Sequence, residues 1–220
     1  MARRDSKSRT FLASLPLAVL ATFGCGDPEK INLAPKPVFD INIVAKAPEL
    51  GEPTSIRLRN GPDEIAVGDD VATAIDFYPK PKKSYEVREL PSAFGKEFRA
   101  QGWESDIEGF GVISHQGRIV AAMRMLHGVD EARLQNEVTA IRYRIGREVE
   151  SIEGKSGRYW FWQIGRHRQV VCATPEGKDG FLLTLAIGEL NTMDALRLNI
   201  DLAKADVKRA DRTPSAAQTN

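Results

Sequence analysis

The chain has 220 residues, 42% of them hydrophobic and 28% charged, with a formal net charge of +1. Composition of this kind sets the expectation of one globular core. Residues 1–24 hold Arg3, Arg4, Lys7 and Arg9 against Asp5, which leaves 27 basic and 29 acidic residues in the remainder, a net of −2, and gives no basis for steering toward nucleic acid.

The N-terminus reads MARRDSKSRTFLASLPLAVLATFGCGD: a positive head, an apolar run from Phe11 to Phe23, then small residues around a cysteine. That run is shorter than the roughly 20 residues a bilayer-spanning helix needs, so residues 1–24 read as an export signal. Here the chain resembles the bacterial lipoprotein class, whose signal ends in a lipobox of Leu, a small residue, Gly or Ala, and then the lipidated cysteine. Gly24 and Cys25 match that pattern, whereas Thr22 and Phe23 stand where Leu and a small residue are usual. The resemblance implies lipidation at Cys25 and a membrane anchor there. Acyl chains contribute about 0.8 kcal/mol per buried methylene, and more than one chain makes anchoring stable. Ordinary cleavage near Ala21 or Gly24, which releases a soluble periplasmic or secreted protein, is the alternative.

Residues 25–54 contain Pro28, Pro35, Pro37, Pro48 and Pro53 and few apolar residues, as an extended tether would, with Val38 to Val44 available as an edge strand. From residue 55 to 209 a single domain is expected. Ile56 and Leu58 alternate with Arg57 and Arg59 in a short half-exposed strand, and Gly61-Pro62 turns the chain. Ile65 to Pro79 reads as a turn into a short helix capped by Asp69 or Asp70, with Val71, Ile75 and Tyr78 on one side. This stretch is similar to the opening of the SmpA/OmlA-type outer-membrane assembly lipoproteins and of β-lactamase-inhibitor-like domains, a similarity that implies a small α+β protein-binding module.

Lys80-Pro81-Lys82-Lys83 reads as a basic loop, Tyr85 and Val87 as part of another strand, and Phe94 with Phe98 as one turn of helix before Gly102-Trp103. Phe110 to Ser114 and Arg118 to Leu126 form a hairpin over His115-Gln116-Gly117. Asp130 then caps a helix with Leu134, Val138, Ile141 and Ile145 on one face and Gly146 at its stop. Between Gly157 and Glu189, turn residues at Gly165-Arg166-His167-Arg168 and at Pro175 to Gly180 divide three antiparallel strands. The third has a heavy face of Phe181, Leu183, Leu185 and Ile187. A last helix, capped by Asn191 or Thr192 and carrying Met193, Leu196, Ile200 and Val207, is expected to cover it. The fold class so derived is α+β, an antiparallel sheet of about five strands covered by two or three helices, with residues 210–220 a disordered tail.

Chemistry is scarce. Gly154-Lys155-Ser156 precedes a strand and opens no helix, so it reads as a turn and not as a phosphate loop. His115, His127 and His167 lack metal-ligand spacing, and His115 and His167 read as exposed turn residues. An anion at Arg166-His167-Arg168 is the functional alternative. Cys172, in an apolar strand, reads as a small hydrophobe more than as a nucleophile. Asp69-Asp70 fit a helix start better than a metal site. No catalytic residue, metal site, cofactor or nucleotide is therefore expected.

Trp160 and Trp162 share one face of the first of the three strands and read as core. If that face stays exposed they are anchors for a partner, with Trp103 beside them. The expectation is an exported, membrane-anchored envelope protein facing the periplasm, with a non-catalytic domain that binds a protein or an envelope component. The alternatives are an envelope enzyme that gathers Cys172, His127 and carboxylates only on folding, or a structural envelope protein.

Overall fold

The computed structural model describes residues 48–77, 83–87, 94–104, 107–178 and 180–212. All of them belong to the compact unit Asp40–Asn220. The proposed signal, Cys25, most of the tether, the Val38–Val44 strand, Tyr78 and residues 213–220 lie outside the described residues.

The strands are β1 (Leu58–Asn60), β2 (Asp63–Ile65), β3 (Lys83–Val87), β4 (Phe98–Glu104), β5 (Glu108–His115), β6 (Arg118–Val129), β7 (Glu150–Gly154), β8 (Gly157–Ile164), β9 (His167–Glu176) and β10 (Gly180–Glu189). The helices are α1 (Thr73–Phe77), α2 (Glu131–Ile145), α3 (Leu190–Ala195) and α4 (Ile200–Arg212). β1 and β2 form a small hairpin, and the other eight strands form one antiparallel sheet in the order β3-β4-β5-β6-β10-β9-β8-β7. The sheet is two four-stranded meanders, each followed by helix, joined where β6 pairs with β10.

The expected α+β fold with about five strands is thereby corrected: the described chain is mostly β, and only α2 and α4 are longer than two turns. Three strands separate the two counts, β3, β4 and β7, and of these β7, sequence ESIEG, is a polar edge strand with exposed Ser151 and Glu153 and a single apolar residue. Phe98 opens β4 in place of a helical turn, paired with His115 in β5 and ringed by Phe94 and His115. The helix expected over Ile65–Pro79 shrinks to α1, since Ile65 is taken by β2.

Local chemistry accounts for the elements that match. Gln116 and Gly117 have φ of 50° and 78°, both left-handed, as the tight β5–β6 hairpin requires. Asp130 accepts from Arg133 N–H at 2.8 Å to cap α2, and the Gly146 N–H donates to the Arg142 carbonyl to close it.

β6 carries two bulges. Val120 is the extra residue between the Ile113–Ala121 and Ser114–Ile119 pairs, and His127-Gly128 oppose the single Leu182 of β10. Each bulge lets residues three apart, Ile119 with Ala122 and Leu126 with Val129, join the same core cluster. Gly128 takes φ 62° there, and Glu176 accepts from its N–H at 2.9 Å.

One face of the sheet packs Phe110, Trp160, Trp162, Leu183, Leu185 and Ile187 against Leu134, Val138 and Ile141 of α2, and against Ile56, Leu58 and Phe77. The heavy face of β10 is thus covered by α2 and the β1–β2 hairpin and not by the C-terminal helix. That C-terminal segment lies on the opposite face, where a side chain at Gly188 would strike Met193, and one at Gly154 would strike Val207. It is also two helices. Glu189, not Asn191 or Thr192, caps α3 by accepting from Thr192 N–H at 3.0 Å. Arg197 at φ 62° then ends α3, with Leu198 N–H donating to Met193 O and Arg197 N–H to Asp194 O, the paired bonds of a Schellman stop. Asn199 Oδ1 starts α4 by accepting from Leu202 N–H. α4 continues to Arg212, so residues 210–212 are helical.

At Gly188 an added Cβ would lie 2.6 Å from Met193 Sδ and 3.1 Å from Ala121 Cβ. Met193 is fully buried, so its side chain cannot give way into solvent. We expect Gly188→Ala to destabilise the domain by about 1–3 kcal/mol, the usual cost of overpacking, measured as a lower midpoint in urea unfolding.

Candidate functional site

The sequence-derived binding residues are placed as follows. Trp160 and Trp162 are buried, and Trp162 Nε1 donates to the Gly146 carbonyl at 3.0 Å beneath the end of α2. Their common face is the α2-covered core, so neither presents a ring to solvent. Trp103 lies in β4 opposite Phe110 and Ser84 in register, and its side chain is outside the described residues.

The thiol alternative is likewise disfavoured. Burial pushes the Cys172 thiol up to about 11, against the opposing effect of hydrogen bonds with Thr174 and Tyr159, so little thiolate exists near neutrality. Cys172 also stands apart from His127: β10 runs between β9 and β6, with Thr184 between Cys172 and Met125 in register. His127 Nδ1 lies 2.9 Å from Glu176 Oε1, where the same carboxylate caps the bulge. Burial alone would raise the Glu176 carboxyl, but His127 and the Gly128 N–H together hold it below its ordinary value. Among the described residues no three His, Cys, Asp or Glu gather as a metal ion would need.

What the fold does gather is a polar clasp around the incoming strap, residues 48–60. His167, expected in an exposed turn, is 2% exposed. Its Nε2 donates to the Leu50 carbonyl at 2.5 Å, which fixes the tautomer, and its Nδ1 meets Thr54 Oγ1 at 2.9 Å. Arg166 pairs with Glu49 at 2.7 Å. Arg168 reaches the other way, to Asp194 Oδ1 at 2.6 Å and the Leu198 carbonyl at 3.0 Å, and so pins α3 and the helix break. The triplet once weighed as an anion-holding tip is therefore committed to the protein itself: two side chains fasten the strap and the third fastens α3.

Beyond the clasp the strap becomes β1. Its inward residues Ile56 and Leu58 are buried, and Arg57 and Arg59 project from the other side. β2 pairs one edge of β1, and arginines satisfy carbonyls beyond that pairing: Arg144 of α2 donates to Arg57 O at 3.1 Å and Arg124 of β6 to Arg59 O at 3.0 Å. Arg124 is neutralised by Glu108, with two hydrogen bonds at 2.8 and 3.0 Å. Arg144 has a neutral partner, Gln169 Oε1 at 3.2 Å, and its Nε is buried without one. Burial holds the Arg144 guanidinium below arginine's ordinary value, and the charges of Arg59 and Arg57 add to this against Glu64 and Glu137. Glu64 lies 3.2 Å from Arg59 and 3.8 Å from Arg57.

No sequence signal marks this arrangement. The alternation of Ile56 and Leu58 with Arg57 and Arg59 places the strand, but Arg144 and His167 join it from 87 and 113 residues away in the chain.

No protein-family model and no curated protein matches the sequence. Two of the solved structures that match illustrate the likeness, which is partial. One is a cysteine-rich secretory protein from Staphylococcus aureus subsp. aureus Mu50, 11% identical over 58% of this chain and 44% of that one, with a TM-score of 0.32. The other is a DUF4309 family protein from Bacillus subtilis subsp. subtilis str. 168, 12% identical over 55% of this chain and 78% of that one, with a TM-score of 0.31. The chain thus spans less than half the length of the first, and likenesses of this size bear on neither fold nor function.

The clasp generates a direct expectation. Replacing His167 by Ala removes the donor to the Leu50 carbonyl and leaves the Thr54 hydroxyl with only the Ile56 N–H, in a part-buried setting, at a cost of about 1–3 kcal/mol. His167→Ala should lower the unfolding midpoint and open the strap to protease at Arg57 and Arg59, read by trypsin digestion and mass mapping.

Proposed function

We propose that the protein is exported, lipid-anchored at Cys25, and uses its folded domain to bind a protein or another cell-envelope component without catalysing a reaction. The observation that carries this reading is the N-terminal segment, in which Arg3, Arg4, Lys7 and Arg9 precede the apolar run from Phe11 to Phe23 and then Gly24-Cys25. The fastening of the strap supports it. A tether positions a domain only if its end is fixed, and the end of the proline-rich stretch with the residues after it is held, through Glu49, Leu50, Thr54, Arg57 and Arg59, to the β8–β9 turn, β9, α2 and β6. Among the described residues no helix is long and apolar enough to cross a membrane.

Intact-mass analysis and membrane fractionation of the native chain beside Cys25→Ala test the anchor. The native chain should lose residues 1–24, gain acyl mass at Cys25 and sediment with membranes, and the variant should leave the membrane fraction. An unmodified, soluble native chain cut at another position would end the lipoprotein reading.

A further inference from the structure

Among the described residues, the outer face of β1 carries more positive charge than its neighbours neutralise. Arg57, Arg59 and Arg144 come together there, and the carboxylate among them is Glu64, opposite Arg59 in the β1–β2 register and shared between Arg59 at 3.2 Å and Arg57 at 3.8 Å. Glu137 acts on Arg144 more weakly than Glu64 or either arginine. Three guanidinium groups thus face two carboxylates, and the neighbouring Arg124 is already balanced by Glu108.

The arrangement is built, and is not a chance surface cluster. Arg144 is held in place by Arg57 O and Gln169 Oε1, both acceptors that leave its charge uncancelled, while its Nε is buried without a partner. Arg57 Nη1 is in turn fixed on the Thr54 and Ile56 carbonyls. Arg59, the outermost, is 57% exposed, Glu64 44% and Arg57 29%, so a ligand reaches Arg59 and Arg57 from solvent, with the charge of Arg144 behind them. An anion with several oxygens matches such donors, because planar guanidinium forks pair with phosphate or carboxylate oxygens two at a time.

We infer that Arg57, Arg59 and Arg144 form a binding site for a phosphate group. This deepens the reading of an anchored envelope protein: the site lies at the root of the tether, where a domain held at a membrane would meet phospholipid headgroups. It does not depend on the anchor for its test. Glu64 is its internal competitor, holding Arg59 and Arg57 when no phosphate is bound, so removal of the Glu64 charge frees both arginines for ligand.

The full chain carrying Cys25→Ala, which removes the anchor, is sedimented with phosphatidylcholine vesicles and with vesicles containing phosphatidylglycerol, at low and high salt. We expect more binding to the anionic vesicles, weakened by salt. The loss should be about fivefold for each of Arg57→Ala and Arg59→Ala, the effect of about one basic residue at an anionic surface. Glu64→Gln should strengthen binding by a similar factor, an increase that a merely damaged fold would not give.

Addition of inorganic phosphate distinguishes the sources. Competition at millimolar concentration makes this a pocket for free phosphate, whereas vesicle binding that phosphate does not displace makes it a headgroup site. Equal sedimentation with both vesicle types, or anionic binding unchanged in the two arginine variants and in Glu64→Gln, would overturn the inference. An acylated native chain with no vesicle selectivity in the Cys25→Ala background would retain the anchor and remove only this site.

Discussion

The structure depends on the burial of both faces of its central strands. β9 begins with seven successive buried residues, His167 to Ala173, and β10 ends with five, Leu185 to Glu189, so a single covering layer would leave half of each strand in water. Burying a large apolar side chain is worth roughly 1.5–3 kcal/mol, and two layers are needed to collect it. α2 with the β1–β2 hairpin supplies one, and α3 with α4 supplies the other. Each layer is oriented by polar contacts to the sheet: Arg158 to Glu131 and Trp162 to Gly146 for α2, Arg168 to Asp194 for α3, and Lys204 to Glu150 for α4. The Arg158 pair holds the Glu131 carboxyl down to about 2, with Gln135 contributing, although its exposure to solvent limits what the pair adds to stability.

The hairpin layer has a cost that the functional reading uses. A two-stranded ribbon laid on a sheet leaves main-chain carbonyls beyond its own pairing, open to donors from neighbouring elements. Here the donors are guanidinium groups. Arg144 and Arg124 cap β1 and in doing so bring charge to a place where Arg57 and Arg59 already project. Glu108 cancels Arg124, and Arg144 is left facing two other arginines. A structural requirement of the ribbon therefore concentrates positive charge at the root of the proposed tether.

Much of the second half of the chain was legible because its signals are local. The Gln116-Gly117 turn, the Asp130 cap, the Leu134-Val138-Ile141 stripe and the breaks at Gly165 and after Pro175 each act within a few residues. Where the reading departed from the structure, the cause was context. β7 has no apolar face to announce it, since its neighbour β8 supplies the aromatic residues. Met193 to Val207 keep helical spacing across a break made by Arg197 in a left-handed conformation, which arginine does not advertise as glycine would. His167 looked like a turn residue because it follows Gly165-Arg166, yet the strap arriving from Leu50 and Thr54 buries it. The tryptophans divided in the same way: their aromatic weight was visible, but not which face α2 would cover.

The strap, residues 48–60, which includes the last residues of the proline-rich stretch, is an integral, fastened part of the domain. Amide hydrogen exchange across Ile56–Asn60 in the native chain, compared with β9 and β10, tests it most directly. The clasp by His167 and the caps by Arg144 and Arg124 predict protection of the β1–β2 pairing in the same slow class as the two central strands. Exchange of β1 on the timescale of an unstructured peptide, with β9 and β10 still protected, would show a strap that detaches on its own and would contradict the account.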